Sequence, residues 1–481
     1  MHKIILVYVI AGLMIGCKDY NGPLNSGSYM NRGNQPPGTV SPPPGNNSGG
    51  TVSPNSGASN QLPATGSSYS DPSFNTSTMR VSNATGSSDM AGGGTLTHII
   101  PEYSTMSPFN SDTSRLLLQH FSYFALYDSN GNFIKDLPFE INASSEPRWS
   151  RNNPDIFYFI NGNRFKRHDI SSGVSTVLHA FSEYSRISGH GESDISFDGD
   201  HFVLAGDRNE IFVYTLSSNR KGPVLDVPGT GGFDNLQITP NNNVLVGWLQ
   251  AGPNRFNGYE LFDQNMNFIR QAATVLGHSD VARDINGNDV LLWANAAEPN
   301  APSNCQNGIV KINLVNGQRT CLITFVWSLA SHISVADMRD WFIISTYAYN
   351  DPGPESSWPM FTNEILQVKL DGTEVRRLAH HGSQALNNYY YQPHASVSRD
   401  GSRLVFASNQ GLSSTQGFPT DYADTYLLSL SGFSSGVSAP VIGPIPILDP
   451  ILDPIIDPLP DTGDIIGELS SVDVPDPGSV L

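Results

Sequence analysis

Three of the twelve histidines in this 481-residue chain sit in related surroundings. His278 lies in GHSD (277–280), His332 in SHIS (331–334) and His394 in QPHAS (392–396), with Gln392 two residues before His394. Residues two apart in an extended strand share a face, so Gln392 and His394 present an amide and an imidazole together. Imidazole nitrogens and amide oxygens can hold a divalent cation such as Mn²⁺, Zn²⁺ or Ca²⁺. A channel of histidines bonded to one another and to water would carry the same residues. His190 of GHGESD (189–194) is a further base, or an axial histidine bonded to Glu192 or Asp194. Arg255 of LQAGPNRFNGYE (249–260) is a fixed cation, or a solvated loop residue. An imidazole titrates near neutrality and a guanidinium neutralises carboxylates. Proton abstraction beside a neutralised carboxylate is the chemistry such a set could perform.

Something must bring these distant residues together, and a repeat does. Seven apolar segments recur, each after a polar stretch and an Asp, Asn or Gly turn: RLLLQHF (115–121), DIFYFIN (155–161), HFVLAGD (201–207), NVLVGWL (243–249), DVLLWAN (289–295), WFIISTY (341–347) and RLVFASN (403–409). Further strands follow, as in EIFVYTL (210–216), GIVKINL (308–314) and EILQVKL (364–370). Helical periodicity is absent. Four-stranded units repeated seven times predict an all-β fold, a seven-bladed β-propeller. The last unit ends at TYLLSL (425–430) one strand short. An N-terminal strand near 95–100 is expected to close the ring and remove an exposed sheet edge.

In a propeller the first strand of every blade lines the central axis. Counting back from the aligned segments, Gln392 falls level with His278 and His190. His394 falls level with His332, Asp280, Glu192 and Glu146. All point inward, so blades five, six and seven each offer a histidine to one axial site: His278, His332 and His394.

These residues resemble the β-propeller polysaccharide lyases, above all oligogalacturonate lyase. The resemblance spans roughly 190–420 and rests on the blades and on HSDV (278–281), SHIS and QPHASVSRDG (392–401). It implies that His332, His394 and Gln392 hold a metal ion, Gln392 standing where the family carries another histidine. It also implies catalytic roles for Arg255 and His278, with His190 as a second candidate base. The implied reaction is β-elimination on a uronate. The proton at C5 is removed, the 4-linked sugar leaves, and metal or arginine stabilises the enolate-like intermediate. The substrate would be an acidic polysaccharide such as ulvan or a pectin-type chain. The ulvan lyases are also similar, though no motif aligns them at residue level.

The two ends read differently. His2-Lys3, the apolar run 4–15 and Gly16-Cys17 resemble a lipoprotein leader, with residues 1–16 removed and Cys17 lipidated. Lys18 after that cysteine favours the outer membrane or cell surface over the inner membrane. Residues 17–95 are rich in Gly, Ser, Pro and Asn and read as a disordered tether. The propeller is placed at 96–435 and a Pro/Asp-rich acidic tail at 436–481, where ILDPILDPIIDPLPD (447–461) excludes helix and interior strand. No Lys or Arg follows Arg403, so much of the net charge of −18 lies towards that tail. Acidity without basic runs argues against nucleic acid. A monomer is expected, touching membrane only through its lipid. Cys305 and Cys321 could pair in an oxidising compartment, although the hairpin at Asn316-Gly317 does not set them directly opposite.

Several other features carry less. Arg148 in EPRW (146–149) reads as an ion-pair partner of Glu146, and Tyr389, Tyr390 and Tyr391 as a sugar platform or ordinary packing. The loop 347–361 is long enough to overhang the mouth with Tyr349 or Trp358. DSNGN (128–132) and DINGND (284–289) are turns rather than calcium loops, and no Gly-x-Ser-x-Gly elbow occurs. The rival to a lyase is a non-catalytic propeller that binds glycans or protein partners.

Overall fold

A computed structural model describes residues 62–430, apart from 72, 228–231, 250–254, 296–300, 306, 326–329, 348–357, 385–387, 414 and 416. The chain divides into units 1–437 and 438–481, and every described strand belongs to the first. The leader, Cys17, most of the tether and the acidic tail lie outside the described residues.

Seven antiparallel sheets follow one another along the chain, six of four strands and one of five. The protein is a seven-bladed β-propeller. The segments aligned by sequence are Arg115–His120, Ile156–Asn161, His201–Gly206, Val244–Trp248, Asp289–Asn295, Trp341–Tyr347 and Arg403–Ser408. Each is the second strand of its blade. These strands are almost wholly buried because both faces pack against neighbouring blades, so they read as continuous apolar runs. Among the described residues the only helical elements are 3₁₀ turns at Ala84–Gly86 and Tyr389–Tyr391.

Seven apolar clusters fill the seven gaps between adjacent blades. Between blades five and six, for example, Val290, Leu292 and Ile309 meet Phe342, Ile344 and Leu366. Equivalent clusters join every other neighbouring pair. Full burial of such a side chain contributes roughly 1.5–3 kcal/mol, so a ring of these wedges holds the first strands rigidly at the axis.

The ring closes from the N-terminus, but not with the strand expected. The segment at 95–100 instead supplies the first strand of blade one, Ile99–Ile100. Blade seven is completed by Thr76–Arg80, paired with Asp424–Ser429, and by Ser68–Asp71 at its edge. The ordered domain therefore begins well before residue 96, inside the stretch assigned to the tether. That stretch misleads because TSTMR and SYSD are short and polar, and their burial comes from partners more than 300 residues away. At the centre of the closure, Asp424 is fully buried and receives five donors. They are Arg80 Nε (3.0 Å) and Nη2 (2.6 Å), Ser82 Oγ (2.9 Å), Tyr422 Oη (2.6 Å) and the Ala84 amide (2.8 Å).

Cys305 and Cys321 form a disulfide with Cα atoms 5.5 Å apart. The strand partner of Cys321 is Val310, and Cys305 stands before its own strand, so the bridge is diagonal. Gly308 makes room for it: a Cβ there would lie 2.1 Å from the Ile323 carbonyl and 3.1 Å from Cys305 Sγ. The DSNGN and DINGND segments are turns, Asp128 and Asp284 each accepting two backbone amides of their own loop.

Candidate active site

The histidines from blades five, six and seven meet at one end of the axis. His278 and His332 stack with ring centroids 4.6 Å apart, and His332 and His394 form an edge contact at 4.3 Å. Gln392 Oε1 lies 3.0 Å from His332 Nε2 and accepts from Tyr347 Oη at 3.3 Å. The shared face expected for Gln392 and His394 thus holds, although neither lies in a strand. Tyr389–Tyr391 is a 3₁₀ turn, Gln392 caps it, and the short strand starts only at Ser396. His394 has φ of +38°, a left-handed conformation that costs a β-carbon-bearing residue roughly 1–3 kcal/mol and concentrates at functional sites.

His332 and His394 are buried behind Tyr103 and Tyr389. The Tyr103 ring is 5.3 Å from each histidine and the Tyr389 ring 4.4 Å from His394. Burial, reinforced by His278, holds His394 neutral with a pKa of about 3. His332 is pushed far down by burial and by its two histidine neighbours. Neutral imidazoles are the form that binds metal. Both ring nitrogens of His394 and Nδ1 of His332 are buried without a hydrogen-bond partner. Buried polar atoms are normally satisfied, and unpartnered neutral imidazole nitrogens are a group that a cation can occupy. Among the described residues no three His, Cys, Asp or Glu side chains form a metal-binding group, and Gln392 Oε1 is engaged by His332 and Tyr347.

His278 is only half-buried. Its Nδ1 donates to the Ser331 carbonyl, which leaves the lone pair on Nε2.

Other predicted residues fall elsewhere. Arg255 stacks over Trp248 in blade four at 4.6 Å. His190 is bonded neither to Glu192 nor to Asp194. Its Nδ1 lies 3.2 Å from the Asp234 carbonyl, its ring packs on Phe233, and burial lowers its pKa to about 3. Arg148 pairs with Glu102 at 2.8 Å rather than with Glu146, because Glu146 is taken by Ser188 Oγ and the Gly189 amide. Despite that arginine, burial raises the Glu102 carboxyl to about 7. Tyr349 lies outside the described residues. Tyr390 stacks on His98 at 4.0 Å.

Comparison with solved structures gives the fold a reference point. An oligogalacturonate lyase in complex with manganese superposes with a TM-score of 0.52 at 12% identity, over 76% of this chain and 95% of that one. An oligogalacturonate lyase from Vibrio parahaemolyticus gives 0.52 at 9% identity, over 76% and 96%. The likeness is one of fold. Neither a protein-family model nor a curated protein sequence matches the chain.

Beyond the histidines the axis is filled by ion pairs that cross it. Arg399 of blade seven binds Asp194 of blade three at 2.7 Å, and Arg151 of blade two binds Asp337 of blade six. A small cavity of about 20 Å³ lies among these groups, lined by Arg151, Asp194 and Asp280. Sequence reading missed Tyr103, Arg186 and Arg208 around the mouth. They lie outside the aligned registers, in loops or beside turns, where counting back from an apolar strand has no hold.

Proposed function

We propose that this protein is a polysaccharide lyase that cleaves a uronate-bearing chain, ulvan or pectin-type, by β-elimination. The observation carrying this reading is the convergence of His278, His332 and His394 with Gln392, where the buried nitrogens of His394 lack partners. His332, Gln392 and His394 would hold a divalent cation, manganese being the ion named for one structural neighbour. Such an ion supplies charge to a carboxylate and so acidifies the adjacent C–H. The protein's own part is positional. His278, oriented by Ser331, takes the C5 proton at Nε2. Arg255, stacked on Trp248, supplies a second positive charge, and His190 is the alternative base. The disulfide supports an extracytoplasmic setting. We place the protein at the outer membrane or cell surface, a monomer held through lipid on Cys17.

The test is a panel of uronate polysaccharides followed by the ultraviolet absorbance of the unsaturated product. His278→Ala should lower turnover by roughly 10²–10⁴-fold, as expected for loss of a general base. Chelator, His332→Ala and His394→Ala should abolish activity together with bound metal. A second reading is favoured by the tyrosines that cover His332 and His394: a propeller that binds acidic glycans without cleaving them. It predicts saturable glycan binding and no absorbance change on any substrate.

A further inference from the structure

A second cavity, of about 310 Å³, lies beside the histidines over the ends of blades one to three. Tyr103 and Tyr389 form a wall common to both places. The volume is at the lower end of the range for small-molecule pockets, roughly 300–1,000 Å³.

Its lining has an unusual balance of engaged and free groups. Glu102 is committed to Arg148, and Glu146 to Ser188 and Gly189. Glu192 also lines the axial cavity below. Arg186 and Arg208, in contrast, form no ion pair among the described residues. Arg208 donates one bond, from Nη2 to the Phe233 carbonyl at 3.2 Å, and lies over that ring. Burial and the neighbouring Arg186 lower its pKa, against the opposing pull of Asp234. Between them and the tyrosines sits His190, 5% exposed, with Nε2 buried and without a partner. Two guanidiniums that form no ion pair among the described residues leave N–H donors for a carboxylate, which arginine binds in pairs. An idle imidazole nitrogen suits a hydroxyl, and a tyrosine face suits the C–H surface of a sugar ring.

We propose that this cavity binds a hexuronate residue, with its carboxylate on Arg208 and Arg186, a ring hydroxyl on His190 Nε2 and its apolar face on Tyr389. It would seat the sugar next to the one at the histidines. Its role in cleavage rests on the lyase reading; binding does not.

Titration calorimetry with free D-glucuronate, in the presence of chelator and against D-glucose at matched ionic strength, tests this directly. The wild-type protein should bind glucuronate saturably and glucose not at all. Arg186→Gln combined with Arg208→Gln should weaken glucuronate by at least roughly tenfold, the loss expected for a charge-assisted bond. His332→Ala should bind as the wild type does. Arg186 is exposed, so Arg186→Gln alone, with a several-fold loss, serves if the double variant fails to fold. The assignment is overturned if the wild type does not bind glucuronate, if the arginine variants bind it unchanged, or if His332→Ala abolishes binding. Failure of the lyase reading looks different: glucuronate binding is kept while no polysaccharide is cleaved.

Discussion

At the scale of single residues, burial and partner choice set the chemistry of each histidine. His381 is a structural example outside the candidate site. It is fully buried, with Nε2 3.0 Å from the Thr346 carbonyl and Nδ1 accepting the Ser383 amide at 3.0 Å. Both nitrogens are used in the neutral form, and burial depresses the pKa from 6.5 to about 3. Below the ordinary value the unfolded chain takes up a proton that the folded chain refuses. Stability should therefore fall as pH drops through the window from 6.5 to about 3 and be unaffected above it. At pH 5 the loss from this residue is about 2 kcal/mol. Urea unfolding at pH 7 and pH 5 should show that loss shrinking in His381→Gln; an unchanged pH dependence in the variant would refute the assignment. His278, His332, Gln392 and His394 were legible in the sequence because strand registers repeat, and a repeat turns distance along the chain into angle around an axis. The partners of Arg148 and His190 were not, since several carboxylates and carbonyls crowd the axis at similar height.

Elements show where local signals succeed and where they stop. The second strands were read correctly because burial on both faces leaves an unbroken apolar run. The closing strands 68–71 and 76–80 carry no such run, as the outer strands of a blade are only partly buried. The Cys305–Cys321 bridge required a diagonal geometry that no hairpin count supplies. Cross-linking residues 16 apart restricts the unfolded chain, and removing a bridge of that length costs roughly 3 kcal/mol. The double change Cys305→Ser and Cys321→Ser should lower the urea midpoint accordingly, with the slope little changed. Gly308→Ala should be destabilising as well, and more so with the disulfide intact than reduced, because Sγ is one of the atoms the new methyl meets. Equal effects in both redox states would show that the Ile323 carbonyl alone sets the cost.

For the whole molecule, closure depends on a single buried carboxylate. Asp424→Ala leaves Arg80 buried without its counter-charge, a loss expected to cost about 3–5 kcal/mol. Thermal unfolding should reveal a large fall in midpoint, whereas Ser82→Ala, which removes one donor of five, should cost only about 1 kcal/mol. Similar effects of the two changes would mean that the closure does not rest on Asp424. The ion pairs Arg151–Asp337 and Arg399–Asp194 act on the same scale, tying blade two to blade six and blade three to blade seven.

The pairing of Thr76–Arg80 with Asp424–Ser429 also sets an order of events in biosynthesis. Strands made almost first find their partner almost last, so the nascent chain must keep them soluble while six blades assemble. A ribosome stalled anywhere before residue 424 releases a circle that cannot shut, with the flank of blade one uncovered for chaperones or proteases to seize.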